Sequence, residues 1–471
     1  MRGREGKPAM LFKLFELVRL YLYPALLVLF FFGLTVFIHE FGHYLMARRR
    51  RMIVERFFIG FGPRIFSWKR DGIEYGVAWL PFGGYVMLPQ MGPMEAFEGK
   101  SEKPAAEVPA ARPIDKILVS VAGPFMNLVL AFIIATVLWR VGMPAANHST
   151  VIGWVEPNSH EELAGLHAGD RIIQLNGKDV SKWTDILTGV ALSLEPTVTI
   201  VALRGDERIE CNLETTYEKE FGIKMTGLYP PGRPVAVRAR PNSPADRAGI
   251  QPQDEFLAIE GVPVYSRAQL IELISKRADK PTHIKLLRTG TVVELLVTPL
   301  TEPQEKVARI GVELTEQIVR PGPRPWEQFG DVLEMLGNSV YAVIHHKQTG
   351  VSVKSFAGPV GILGGWWNEF ASGGMRRGLW LAVVLNINLA IFNLLPLPVL
   401  DGGHIVFALI EAIIRKPVNA RFVHVVTTGF AAVLIGFMLY ITFNDVQKFL
   451  PHRLPALNVP GTNEPAATTT P

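Results

Sequence analysis

Residues 24–47 read PALLVLFFFGLTVFIHEFGHYLMA. A run this long and this apolar is enough to cross a bilayer, which takes roughly 20 helical residues. Inside it stand His39, Glu40 and His43. On a helix, positions i and i+4 share a face one turn apart, so two imidazoles there can hold one Zn²⁺ at about 2.0–2.1 Å each. Glu40, next to the first of them, can deprotonate a water at the metal without being spent as a ligand. Two histidines and a carboxylate are expensive in an apolar span, need partners there and usually mark function. The bland alternative is a polar patch packed against other helices. A signal peptide is excluded because the run carries these residue types and ends in Arg48-Arg49-Arg50-Arg51, not in a small-residue cleavage site.

Outward from this stretch, three more segments are long and apolar enough to span: 117–139, 378–400 and 422–443. The fold class expected is a multipass α-helical membrane protein with about four spans. The chain has 471 residues, 48% hydrophobic and 19% charged, which suits a protein part embedded and part aqueous. A net charge of +5 over this length does not point to nucleic acid. The single cysteine, Cys211, excludes an intrachain disulfide and a cysteine-based zinc site. Lys and Arg cluster between spans one and two (Arg48 to Arg51, Arg56, Arg64, Arg112) and between spans three and four (Arg415, Lys416, Arg421). Those loops are expected on the cytoplasmic side, with both termini and the long segment 140–377 outside. Residues 11–22 are amphipathic and belong to an N-terminal extension over 1–23 that suits an interface. Residues 446–471 are expected to be a disordered tail.

The outer segment repeats itself. Residues 157–180 (PNSHEELAGLHAGDRIIQLNGKDV) and 241–264 (PNSPADRAGIQPQDEFLAIEGVPV) align without a gap at an offset of 84, with eight identities. Two copies of one unit are expected, over 145–220 and 233–302, each with a Pro-Asn-Ser turn, a short helix end, an Asp, a strand and a Gly turn. The pattern resembles PDZ domains, which would make these two inserted α+β domains that take peptide C-termini. A helical and extended linker over 303–377 follows. Between spans one and two, strand-like runs Arg64–Arg70 and Ile73–Leu80 flank Asp71-Gly72, the strongest short hairpin cue, and a β-hairpin loop is expected over 57–90.

A catalytic zinc needs a third protein ligand and an open position. Asp401 is the first acid after Glu369, at the cytoplasmic end of span three and on the side of His39 and His43; His404, three residues on, is its rival. His345 and His346 fall outside the membrane, while His424 and Glu411 read as interfacial. Pro396 and Pro398 cannot continue a regular helix, and unwound backbone at membrane depth survives only where it is buried or lines a wet cavity. They predict a local break that presents Asp401. Asn393 in the same span could hydrogen-bond a substrate backbone or an oxyanion, or another helix.

Together, His39-Glu40-Phe41-Gly42-His43, Ala122-Gly-Pro-Phe-Met-Asn127, the paired repeats, Gly358-Pro-Val-Gly-Ile362, and Asn388 through Asn393 to Asp401-Gly-Gly-His404 resemble the site-2 protease family, close to the bacterial regulator of sigma-E protease group. The likeness covers most of residues 24–443. It implies an intramembrane zinc metalloprotease of the bacterial inner membrane with one Zn²⁺ per chain, held by His39, His43 and Asp401. It implies Glu40 as general base, with Asn388 and Asn393 holding substrate. The substrates implied are single-span membrane proteins such as an anti-sigma factor or a remnant signal peptide. It also implies that the hairpin is re-entrant and pairs with an unwinding substrate strand, and that the active site faces the cytoplasm and the PDZ-like pair the periplasm. The long N-terminal extension and an expanded loop over 89–112 set the chain apart from the compact version of the family.

Overall fold

The structure, a computed structural model, describes residues 18–91, 108–144, 149–218, 223–301, 307–316, 318–349, 357–372 and 374–449. Most of the N-terminal extension, residues 92–107 of the 89–112 loop, and residues 450–471 of the tail lie outside them. The metal-site stretch forms helix α1 (Tyr23–Arg49) with Pro24 in its first turn, where a missing N–H costs nothing. Of its residues, protein buries only Pro24, Thr35, Gly42 and Ala47; the rest of its apolar surface is left for lipid.

The chain then turns into a long antiparallel hairpin, β1 (Arg56–Arg70) and β2 (Ile73–Met87), with an irregular register between Ile59 and Arg64. At its tip Asp71 (φ 53°) and Gly72 (φ 78°) both take positive φ, as a two-residue turn of type I′ requires. The hairpin folds back on itself, so that Phe57 pairs with both Val86 and Tyr75, and a buried apolar cluster in which Phe57, Ile73, Val86 and Leu88 meet Ala47 and Val119 fixes it in place. Val119 belongs to α2 (Pro113–Val141), which packs along α1.

Beyond α2 the two-residue strand Met143–Pro144 pairs with the returning strand Ile318–Val319, so the outer segment leaves and re-enters the membrane half at one neck. The first outer unit contains β3 (Arg171–Leu175), α3 (Trp183–Ala191), β4 (Thr197–Arg204) and β5 (Glu207–Glu214), the strands forming a sheet around a core of Ile172, Ile186 and Ile200. The second contains β6 (Pro234–Ala239), β7 (Glu255–Ile259), α4 (Arg267–Ser275), β8 (Thr282–Arg288), β9 (Thr291–Val297) and β10 (Val312–Glu316) around Phe256, Leu270 and Ile284. Equivalent positions 84 apart do equivalent work. Ser159 and Ser243 cap one-turn helices, and buried Asp170 and Asp254 each hold an arginine, Arg204 and Arg288. The units reach past the bounds drawn from the repeat: Leu228–Tyr229 pairs with Trp154–Val155 in the first, and β10 pairs with β6 in the second.

After the insert come α5 (Pro325–Ile344), α6 (Pro359–Ser372), α7 (Gly374–Asn393), α8 (Asp401–Ile414) and α9 (Ala420–Phe449). Among the described residues, four helices are long and apolar enough to cross a membrane: α1, α2, α7 and the 421–447 part of α9. The third, expected over 378–400, stops as helix at Asn393. Pro396 and Pro398 end the ladder, but α7 starts earlier, at Gly374, and its 20 residues still give the roughly 30 Å a bilayer core needs. The last helix runs on through Phe449, into the stretch expected to begin the tail. The membrane half is held by Leu130, Ile134 and Leu138 of α2, Trp366 and Phe370 of α6, and Val383 and Ile387 of α7. Asn386 adds a buried interhelical hydrogen bond to Thr35 of α1 (3.0 Å).

Candidate metal centre

Three elements converge on one point: α1 brings His39, Glu40 and His43, α2 supports them, and the start of α8 brings Asp401. The contact between α1 and α2 is close because small residues face each other. A Cβ on Gly42 would lie 2.4 Å from the Ala122 carbonyl oxygen, and one on Gly123 would lie 2.3 Å from His43 Nε2. Only glycine leaves room for that imidazole against α2.

The His43 ring is oriented from behind, since its Nδ1–H donates to the Val119 carbonyl at 2.8 Å. In the neutral ring Nε2 is then a bare lone pair, the form a metal requires. His43 Nε2 lies 3.2 Å from His39 Nε2. Asp401 closes the triangle, its Oδ2 3.3 Å from His39 Nε2 and its Oδ1 3.4 Å from His43 Nε2. A tetrahedral zinc with bonds of about 2.0–2.1 Å has ligand atoms about 3.3–3.4 Å apart, so these spacings fit the ion. Asp401 Oδ2 is buried and makes no hydrogen bond, which a cation would remedy. Among the described residues this is the one group of three such donors within reach of a common ion.

Asp401 arrives there because the chain breaks. Residues 394–400 close on themselves through Leu397 N–H to Leu395 O (2.7 Å) and Leu400 N–H to Leu397 O (2.9 Å). Asp401 is then the first residue of α8. Gly402 lets the loop lie against that helix start: a Cβ there would meet the Leu395 carbonyl at 2.1 Å.

A cavity of about 270 Å³ opens on the triangle, and Glu40, Tyr85 and Val86 of β2, Asn393 and His404 line it. Glu40 is in the cavity but outside the donor group, and so is His404. Asn393 faces the cavity. Asn388 is not among the residues lining it and keeps a buried Oδ1 without a hydrogen bond. His345 is half-buried and stacks on Tyr341. Glu411 is not a lone interfacial charge: it pairs with Lys116 of α2 at 2.7 Å. Two residues of the quoted 122–127 motif have functions that were not read from the sequence, Gly123 beneath His43 and Asn127 beside His39 (3.2 Å). Their spacing of four on one helix was the available signal.

The chain is similar to known proteins along most of its length. A Vibrio cholerae protein named as a candidate zinc metalloprotease is 31% identical over 452 residues, covering 88% of this chain and 96% of that protein. The regulator of sigma-E protease RseP of Salmonella typhimurium is 28% identical over 455 residues, and that of Escherichia coli K12 is 27% identical over 462, each again covering 88% of this chain and 96% of the relative. The family model described as Peptidase family M50 matches residues 27–437, which contain all three donors, and the chain belongs to peptidase family M50.

Proposed function

We propose that this protein is an intramembrane zinc metalloprotease that hydrolyses peptide bonds in or near the membrane-spanning segments of single-span proteins. The observation that carries the reading is the His39–His43–Asp401 triangle, at zinc spacing, with the Glu40 carboxylate in the same cavity, on an apolar helix. Zn²⁺ held by these three residues supplies Lewis-acid polarisation of a carbonyl and a lowered pKa for water. The rest is the work of the chain. Glu40 takes the proton of the attacking water and returns it to the leaving amine. Asn393, on the cavity wall, donates to the substrate backbone or to the developing oxyanion, and Asn388 assists from the same helix. The hairpin is re-entrant, and β2 beside Glu40 offers main-chain partners to a substrate that must be extended before it is cut.

The two outer units are PDZ-like domains on the periplasmic side of a bacterial inner membrane, and the metal faces the cytoplasm. They take a new C-terminus or screen substrates by size, so that only those already trimmed reach the site. An anti-sigma factor is one substrate such a protease would cut, in keeping with relatives named regulators of sigma-E protease; a remnant signal peptide is another.

The test is a paired assay of wild type and Glu40→Ala in liposomes with a tagged, trimmed single-span substrate, with zinc counted in both. The expected result is roughly one zinc per chain in each and a loss of at least 10²-fold in cleavage for Glu40→Ala. Equal cleavage by both would remove Glu40 from catalysis, and a folded wild type that takes up no zinc would overturn the reading.

A further inference from the structure

We propose that Asn127 is a positioning residue for the metal: its side-chain oxygen accepts the Nδ1–H of His39 and so frees His39 Nε2 for ligation. The inference rests on the reading of His39 as a ligand. Asn127 is fully buried on α2, one turn beyond Gly123. Its amide lies 3.2 Å from His39 Nδ1, and no other contact of that nitrogen is seen among the described residues.

The chemistry of the imidazole leaves two arrangements. With Nδ2 toward the ring, the amide donates to Nδ1. The neutral ring then carries its proton on Nε2, pointing at His43 Nε2 (3.2 Å) and Asp401 Oδ2 (3.3 Å). Such a ring cannot bind a metal through Nε2. With the amide turned over, Oδ1 accepts Nδ1–H and Nε2 presents its lone pair to the centre. Asn127 Oδ1 is buried and has no hydrogen-bond partner, so the turn takes an acceptor away from no other group. His43 obtains the same tautomer from a fixed backbone carbonyl, that of Val119. Among the described residues no backbone carbonyl is seen to hydrogen-bond His39 Nδ1, and the side chain of Asn127 supplies the acceptor. The amide can therefore serve both forms of the site, donating to His39 when the metal is absent and accepting from it when the metal is bound.

The experiment compares zinc affinity, by chelator competition, for the full chain in detergent as wild type, Asn127→Asp, Asn127→Leu and His39→Gln. An outer partner that orients a ligating histidine is typically worth 10–100-fold in metal affinity. Asn127→Leu should lose about that factor, whereas Asn127→Asp, which keeps an acceptor and no donor, should stay within a few-fold of wild type. Wild-type affinity in Asn127→Leu overturns the proposal. An equal loss in Asn127→Asp does so too, because it makes the amide a packing element. If His39→Gln binds zinc as wild type does, it is the ligand reading that fails. Solid-state ¹⁵N spectra of histidine-labelled wild type in liposomes need no folded variant at position 127. They should show His39 Nδ1 protonated with zinc and unprotonated without it, and a bare Nδ1 in the zinc-loaded protein overturns the proposal.

Discussion

A single absent methyl group decides how near α2 comes to His43. Gly123→Ala would place a carbon 2.3 Å from Nε2 and 2.5 Å from Cε1 of that ring, and the imidazole has to leave the triangle. Helix propensity runs the other way, since Ala in place of Gly favours a helix interior by about 0.8–1.0 kcal/mol. The expected variant is therefore at least as stable as wild type without metal and binds zinc at least about tenfold more weakly; melting of the stripped protein and chelator competition read the two effects separately. A second residue-scale test lies in the outer segment. Burial works against the charge of Asp170, but the two Arg204 hydrogen bonds (2.8 Å each) and the His167 amide overcome it and hold the carboxyl below its ordinary range. With the folded value below the unfolded one of about 3.9, the pair's contribution is complete above about pH 4 and fades as pH falls further, through the folded value. Hydrogen exchange over β4 and β5 should show protection dropping on that acid limb in wild type, and a flatter profile in Asp170→Asn.

At the scale of elements, the α7–α8 break and the contact of α8 with α2 set where Asp401 stands. Lys116 and Glu411 join α2 to α8 at 2.7 Å, with side chains 17% and 12% exposed. A pair of that burial falls between the exposed limit of less than about 1 kcal/mol and the buried one of about 3–5 kcal/mol for removing one partner. Glu411→Ala should cost about 1–3 kcal/mol in thermal stability and weaken zinc binding by letting α8 drift, while Lys116→Met with Glu411→Leu recovers most of the stability. No loss in Glu411→Ala would show that the pair does not hold the two helices. How far such features can be read in advance depends on whether the information is local. His39, Glu40 and His43 lie within five residues on one helix, so their shared face follows from its pitch, and Asp71-Gly72 announces its own turn. The repeat exposes Asp170 and Asp254 because identical residues recur 84 apart, but their arginines lie 34 residues on, outside the matched windows, and only the sheet brings them back. Pro396 and Pro398 announce the break before Asp401, but not that α7 already ends at Asn393: Leu394, Leu395, Leu397 and Leu400 are as apolar as a span, so hydropathy carries the expected helix on to 400. Lys116 and Glu411, 295 residues apart, carry no local sign of each other.

On the scale of the whole molecule, the question is what the outer segment does for the membrane half. Its two ends are tied together at the neck, where Met143–Pro144 pairs with Ile318–Val319 and the Gly322 N–H reaches the Trp139 carbonyl at 2.9 Å. Away from the neck, Lys182 beside α3 grips Asp331 (2.9 Å) and Glu334 (2.8 Å) on α5. The two carboxyl side chains are 45% and 47% exposed, so this grip contributes on the order of 1 kcal/mol and weakens with salt. The insert is thus tied at the neck and lightly latched beyond it, a mounting compatible with the proposed screen. Because the neck strands already lie side by side, residues 149–316 can be replaced by a short Gly-Ser link without separating α2 from α5. If the insert screens by size, the shortened protein should cut an untrimmed single-span substrate about as fast as a trimmed one, while wild type cuts only the trimmed form. Zinc content and cleavage of the trimmed substrate should stay near wild type, which separates loss of the screen from damage to the site. An untrimmed substrate left intact by a shortened protein that still cuts the trimmed one would rule the screen out. Lys182→Glu is the milder form of the same test: it repels both carboxylates, should raise hydrogen exchange along α5, and should admit untrimmed substrate in part.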